Sequence, residues 1–303
     1  MISRVTNQTM SSFAQRNLQD NMARIAKLQE LAAGESLITR PSDDPTGTAD
    51  SMRTRADIRA NEQYKRNIDD ANGWLTTVDS ALGTVTGLLN KARDLTIQAT
   101  NGSVSPLGRE AIALELESIK GSLLDAANAK YLGRSVFAGN SDGAEVFDYA
   151  GNAAPYSFTG PNSQVDRRIG PDMTVRADAD GAKIFGSDPV DGSPGDSVFA
   201  LLDTLAAEVR AGTDVSTRLN DIDARLDAVI NGRAEVGTRH AQILKAQETN
   251  LDEAVSLEAR RSGIEDPDLG KVVLDLKMQE VAYQAALQVT ARVLQPTLMD
   301  FLR

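Results

Sequence analysis

The chain has no cysteine and a single histidine, His240, in 303 residues. Those two shortages remove disulfides, thiolate metal sites and cysteine nucleophiles, and leave Ser/His arrangements and most zinc sites short of members. No apolar run approaches the roughly 18 residues needed to span a bilayer, and the first ten residues lack the basic and apolar regions of a cleaved signal peptide. No two glycines are separated by a single residue, which excludes a dinucleotide fingerprint. The one Gly-Lys pair, Gly270-Lys271, is followed by Val272 where a phosphate loop needs Ser or Thr. Lys and Arg number 32 against 43 Asp and Glu, a net charge of -11 with no dense basic cluster, which argues against nucleic acid as a partner. No catalytic centre, cofactor, metal site or membrane insertion is expected, and taken alone these shortages point to the cytoplasm.

What the chain does have is helical periodicity. Leu18, Met22, Ile25, Leu28, Leu31 and Ala32 recur at helical spacing before a stop at Gly34. In the turn-rich stretch Arg40-Pro41-Ser42-Asp43-Asp44-Pro45, Asp44 can cap the next helix and Pro45 fits its first position. From Tyr64 a seven-residue repeat runs through Ile68, Ala71, Leu75, Val78, Leu82, Val85, Leu89, Ala92 and Ala99, interrupted by Thr96. Ser105-Pro106 opens another helix, with Ile112, Leu116, Ile119 and Leu123 on one face. A second heptad run holds Leu219, Ile222, Leu226, Val229, Val236, Ile243, Ala254 and Leu257, interrupted by Arg233, His240, Gln247 and Asn250. Asp266-Pro267 repeats the cap-plus-proline device before a last helix with Leu269, Val273, Leu276, Tyr283, Leu287, Leu294, Leu298 and Phe301.

Between the helical halves, residues 131–196 hold 10 of the 23 Gly and 5 of the 10 Pro, and read as strands and turns. Residues 135–139 and 174–178 are candidate strands, and Asp180-Gly181 a candidate hairpin turn. The expected fold is mainly α with a β-rich insert: a long antiparallel helical bundle, a coiled-coil rod, carrying one small β domain. Its segments are 1–45, an N-terminal assembly helix and turn; 46–130, half of the rod; 131–196, an outer β-rich domain; 197–262, the other half; and 263–303, a C-terminal assembly helix.

Each chemical candidate has a plainer explanation. His240 falls at a heptad core position, where a packed or partner-bonded imidazole suffices. Asp43 and Asp44 precede a helix, where carboxylates cap amides and meet the dipole. The Asp178-Ala179-Asp180-Gly181 run lacks the glutamate that a calcium loop places after it. The terminal helices have little core left to cover, so their stripes ask for partners.

The stretches 40–45, 135–139 and 295–303 resemble bacterial flagellin and its relatives, and 233–239 and 282–292 fall in the family's order. The residues after Met1, the proline in the 40–45 turn and the Leu294-Gln-Pro-Thr-Leu298 ending are closer to the hook-associated branch of that family. The resemblance implies a non-enzymatic structural part of the bacterial flagellum at the hook-filament junction, with flagellin itself as the alternative. It implies as partners hook-associated protein 1, flagellin, copies of the chain in a ring, and an export chaperone at the C-terminal region. It also implies an extracellular location reached through the flagellar type III apparatus, which reverses the cytoplasmic expectation. The assembly interface is then expected at Leu18, Met22, Ile25, Leu28, Leu276, Tyr283, Leu287, Leu294, Leu298 and Phe301, with Arg40 to Pro45 as the family turn.

Overall fold

In the computed structural model, the residues described are 7–34, 36–140, 146–147, 156, 158, 163–188 and 196–293. The fold is mainly α with a small β part, and it divides into two compact units, residues 60–253 and the joined ends 1–59 with 254–303.

The 60–253 unit is built on α2 (Pro45–Ala99) from residue 60 onward and on α6 (Arg218–Glu265) up to residue 253. Four polar pairs link them: Asn61 with Asn250, Asn72 with His240, Asp79 with Arg233, and Asp223 with Arg93. As one number rises the other falls, so the helices run antiparallel. Their seam is the expected heptad, with Ile68, Leu75, Val78, Leu82, Val85 and Leu89 all buried. From α6 come Ile222, Val229, Val236 and Ile243, one residue every two turns, while Arg233 and Gln247 stay at the edge. Each fully buried Leu or Ile contributes about 1.5–3 kcal/mol, so this seam is one of the unit's main sources of stability.

Ser105 caps α3 (Pro106–Ala127) by accepting from the Gly108 amide, as the Ser-Pro signal implies. Ser197 does the same for α5 (Val198–Ala211) at Ala200, and α3 and α5 pack together in the core. Arg210 bridges Glu110 and Glu117 while Lys120 pairs with Asp203, so this pair is also antiparallel.

The insert holds two short antiparallel ladders. In the first, β1 (Lys130–Tyr131) pairs with β2 (Arg134–Ser135); in the second, β3 (Asp166–Arg168) pairs with β4 (Thr174–Arg176). Of the candidate strands, 135–139 enters a ladder only at Ser135 and is turn from residue 136 onward, while 174–178 is a strand only over Thr174–Arg176. The hairpin expected at Asp180-Gly181 lies instead at Leu132-Gly133, where both residues have positive φ. Asp180 is the cap of a short helix, α4 (Gly181–Phe185), and accepts from the Lys183 amide at 3.1 Å. Phe137, Phe147, Phe185 and Phe199 pack ring on ring at 5.1–6.1 Å, so the insert and α5 share one aromatic cluster continuous with the helical core.

In the unit of the joined ends, α1 (Asn7–Ala32) packs against α7 (Leu269–Val293). The last helix begins two residues later than Asp266-Pro267 suggests: Asp268 Oδ1 accepts from the Lys271 amide, and Asp268 is the capping carboxylate.

Candidate assembly surfaces

The turn between α1 and α2 is locked by its two aspartates. Asp43 Oδ2 accepts from the Thr39 hydroxyl at 3.0 Å and the Arg40 amide at 3.1 Å, closing the turn backward. Asp44 Oδ1 accepts from the Gly47 amide at 2.9 Å and the Thr46 hydroxyl at 3.0 Å, and these bonds hold its carboxyl below the usual carboxylate range. Pro45 opens α2. Arg40, Pro41 and Ser42 are exposed.

Glu265, at the C-terminal end of α6, ties this segment down. It is 2% exposed. Arg55 donates to both of its carboxylate oxygens at 2.7 Å, and Ser51 and Arg261 donate as well. Arg55 above all, with Ser51 and Arg261, outweighs burial and lowers the Glu265 carboxyl to about 2. Its backbone carbonyl accepts from the Leu37 amide at 2.8 Å and the Ser36 hydroxyl at 3.2 Å. Periodicity gave no hint of Glu265, because an acid at a helix end reads as ordinary solvated charge.

The α1 face toward α7 carries Ala14, Leu18, Asn21, Ile25, Leu28 and Ala32, all half-buried and spaced by alternating fours and threes. On α7 the matching positions are Val272, Leu276, Gln279, Tyr283, Ala286 and Thr290. Gln279 donates to Asn21 at 3.0 Å, fixing the register. Of the expected interface residues, Leu18, Ile25, Leu28, Leu276 and Tyr283 lie in this seam. Met22 is 57% exposed and Leu287 also faces outward, since each falls one position off the heptad. Leu294, Leu298 and Phe301 lie outside the described residues. A second apolar face of α7, with Leu274, Met278, Val281 and Val289, is exposed.

His240 is half-buried and its Nε2 lies 2.8 Å from the Asn72 side-chain oxygen, in keeping with a partner-bonded role. Among the described residues no three His, Cys, Asp or Glu side chains gather where they could hold a metal, and no helix is long and apolar enough to cross a membrane.

Residues 5–142 match the family model described as the bacterial flagellin N-terminal helical region. The N-terminal part of the chain is therefore similar to that of the flagellins. It is similar to flagellar hook-associated protein 3 of Salmonella typhimurium, 26% identical over 93% of this chain and 94% of that one. It is also similar to the flagellar filament 30.7 kDa core protein of Treponema maltophilum, 26% identical over 95% of both chains. The fold matches that of flagellar hook-associated protein-3 from Legionella pneumophila with a TM-score of 0.61, at 16% identity, covering 69% of this chain and 97% of that structure. These relatives are structural parts of the bacterial flagellum, and the exposed apolar helix faces are the candidate functional surface of this chain.

Proposed function

We propose that this chain is the hook-filament junction adaptor, joining hook-associated protein 1 to the first flagellins as a ring of its own copies. The observation that carries this reading is the pair of end helices. α1 and α7 cover one face of each other with half-buried residues, while Leu274, Met278, Val281 and Val289 keep a further apolar face on α7 open to a neighbour. The near full-length similarity to hook-associated protein 3 supports the junction in particular. On this reading segments 1–45 and 263–303 assemble, 46–130 and 197–262 form the shaft, and 131–196 faces the medium. Export runs through the flagellar type III apparatus, with a chaperone held at the C-terminal region, and no cofactor takes part.

Deleting the gene tests the reading: hooks without filaments, with flagellin lost to the medium, are expected, and normal filaments would overturn it. The alternative, a filament-forming flagellin, is supported by the similarity to the Treponema filament protein. Purified chain added to filament seeds separates the two, because an adaptor does not extend them and a flagellin does.

A further inference from the structure

The chain has three Asn-Gly pairs, and the fold treats one of them differently from the other two. Asn72-Gly73 lies inside α2 and Asn231-Gly232 inside α6, where the glycine N–H is committed to a carbonyl four residues back. Both helical glycines are also crowded, Gly73 by the Tyr131 ring and Gly232 by Ile184, and Asn72 is held by His240. Asn101-Gly102 stands past the end of α2, in the turn that leads to α3, and both of its residues are exposed.

That turn is closed twice. The Val104 amide donates to the Asn101 backbone carbonyl at 3.1 Å. The Ser103 hydroxyl at 2.9 Å and the Ser103 amide at 3.3 Å both donate to Asn101 Oδ1. The bond to the Ser103 amide folds the Asn101 side chain over the Gly102 peptide, the posture from which Cγ meets the Gly102 nitrogen. That nitrogen donates to no acceptor among the described residues, and its own residue has no Cβ to shield it. The two donors on Oδ1 draw electrons from Cγ. They also sit where negative charge gathers when a nucleophile adds to Cγ, which is the arrangement of an oxyanion hole.

We propose that Asn101 is a modification site at which the Gly102 backbone nitrogen displaces the side-chain amide. The N–Cγ bond forms and the Cγ–Nδ2 bond breaks. The Gly102 amide proton leaves with Nδ2 as ammonia, and a cyclic imide remains. Water then opens one of the two C–N bonds of the imide, which yields either aspartate or an isoaspartate whose main chain runs through Cβ and Cγ. No metal, oxidant or second protein takes part. Each event adds a negative charge to the α2–α3 turn, and the iso form lengthens the main chain there by a carbon. The reaction is independent of the adaptor reading.

The full-length chain, kept folded in mildly alkaline buffer, is sampled over days, digested quickly in acid and read by mass spectrometry, with aspartate and isoaspartate peptides separated by chromatography. Residue 101 is expected to convert, faster as pH rises, while residues 72 and 231 stay amides; in urea the three converge. Ser103→Ala should slow the folded reaction about 2–10-fold by removing one donor, an effect that disappears in urea. A Cβ at Gly102 meets nothing within 4 Å and its φ lies outside the left-handed region, so Gly102→Ala keeps the turn and slows the reaction by shielding the nitrogen. Circular dichroism checks that each variant keeps its helices. An Asn101 that converts no faster than Asn72 and Asn231 in the folded chain, or a Ser103→Ala chain that reacts as fast as its parent, overturns the proposal.

Discussion

Glu265→Gln should loosen the segment that joins α1 to α2 without touching the rest of the chain. A folded carboxyl at about 2 against an ordinary 4.5 corresponds to at most about 3 kcal/mol of preference for the charged form. Arg55, its main partner, has a side chain 56% exposed, so solvent screens part of that preference and about 1–2 kcal/mol is the expected effect. The folded value is depressed, so the contribution is complete above about pH 4.5 and disappears as pH falls toward 2. Native-state hydrogen exchange at the Leu37 amide reads it cleanly, because that amide donates to the backbone carbonyl of Glu265, which the substitution keeps. At neutral pH the variant should exchange about 5–30 times faster. The gap between wild type and variant should narrow from pH 4.5 to 2, a comparison that cancels other acids of the segment such as Asp44 and Glu258. Equal protection at neutral pH, or a gap that survives at pH 2, refutes the reasoning.

Leu82→Ala, in the fully buried α2–α6 seam, should cost about 2–5 kcal/mol, read as a lower urea midpoint with an unchanged slope. Asn61 and Asn250 are buried and bonded to each other across the seam, so Asn250→Ala should cost about 1–3 kcal/mol by removing the donor to the Asn61 side-chain and backbone oxygens, while the Asn61 amide keeps the carbonyl of residue 250. Replacing both by Leu should recover that loss in the same urea titration; no recovery would mean that the pair is not an isolated polar contact.

The helices, their order and their caps at Asp44 and Ser105 were legible because each rests on a local signal, a short polar side chain beside a proline. The seam from Ile68 to Ala92 was legible because one heptad phase holds for the whole run. Asp180 and Asp266 were given the wrong roles for a related reason. Asp-Gly and Asp-Pro signal a turn or a cap equally well, and only the next residues' hydrogen bonds decide between them. Met22 and Leu287 were read by helical spacing onto one stripe with Leu18 and Leu276, whereas the phase of the α1–α7 seam takes in polar Asn21 and leaves both on faces open to a neighbour. Glu265 and the Asn61–Asn250 pair could not be found from one sequence, because each joins residues roughly 190 to 230 positions apart. Asn250 was visible as an interruption of a heptad, and its partner was not.

The two seams of this chain differ in what they bury, and the difference bears on assembly. The α2–α6 seam is dry over most of its length, and its interruptions sit at the edge or pair with each other. The α1–α7 seam is half-buried, includes Asn21, Gln279 and Thr290, and leaves a second apolar face of α7 in water. A helix pair of that kind gains comparatively little from its own contacts, so much of what would order it must come from surfaces it has not yet covered.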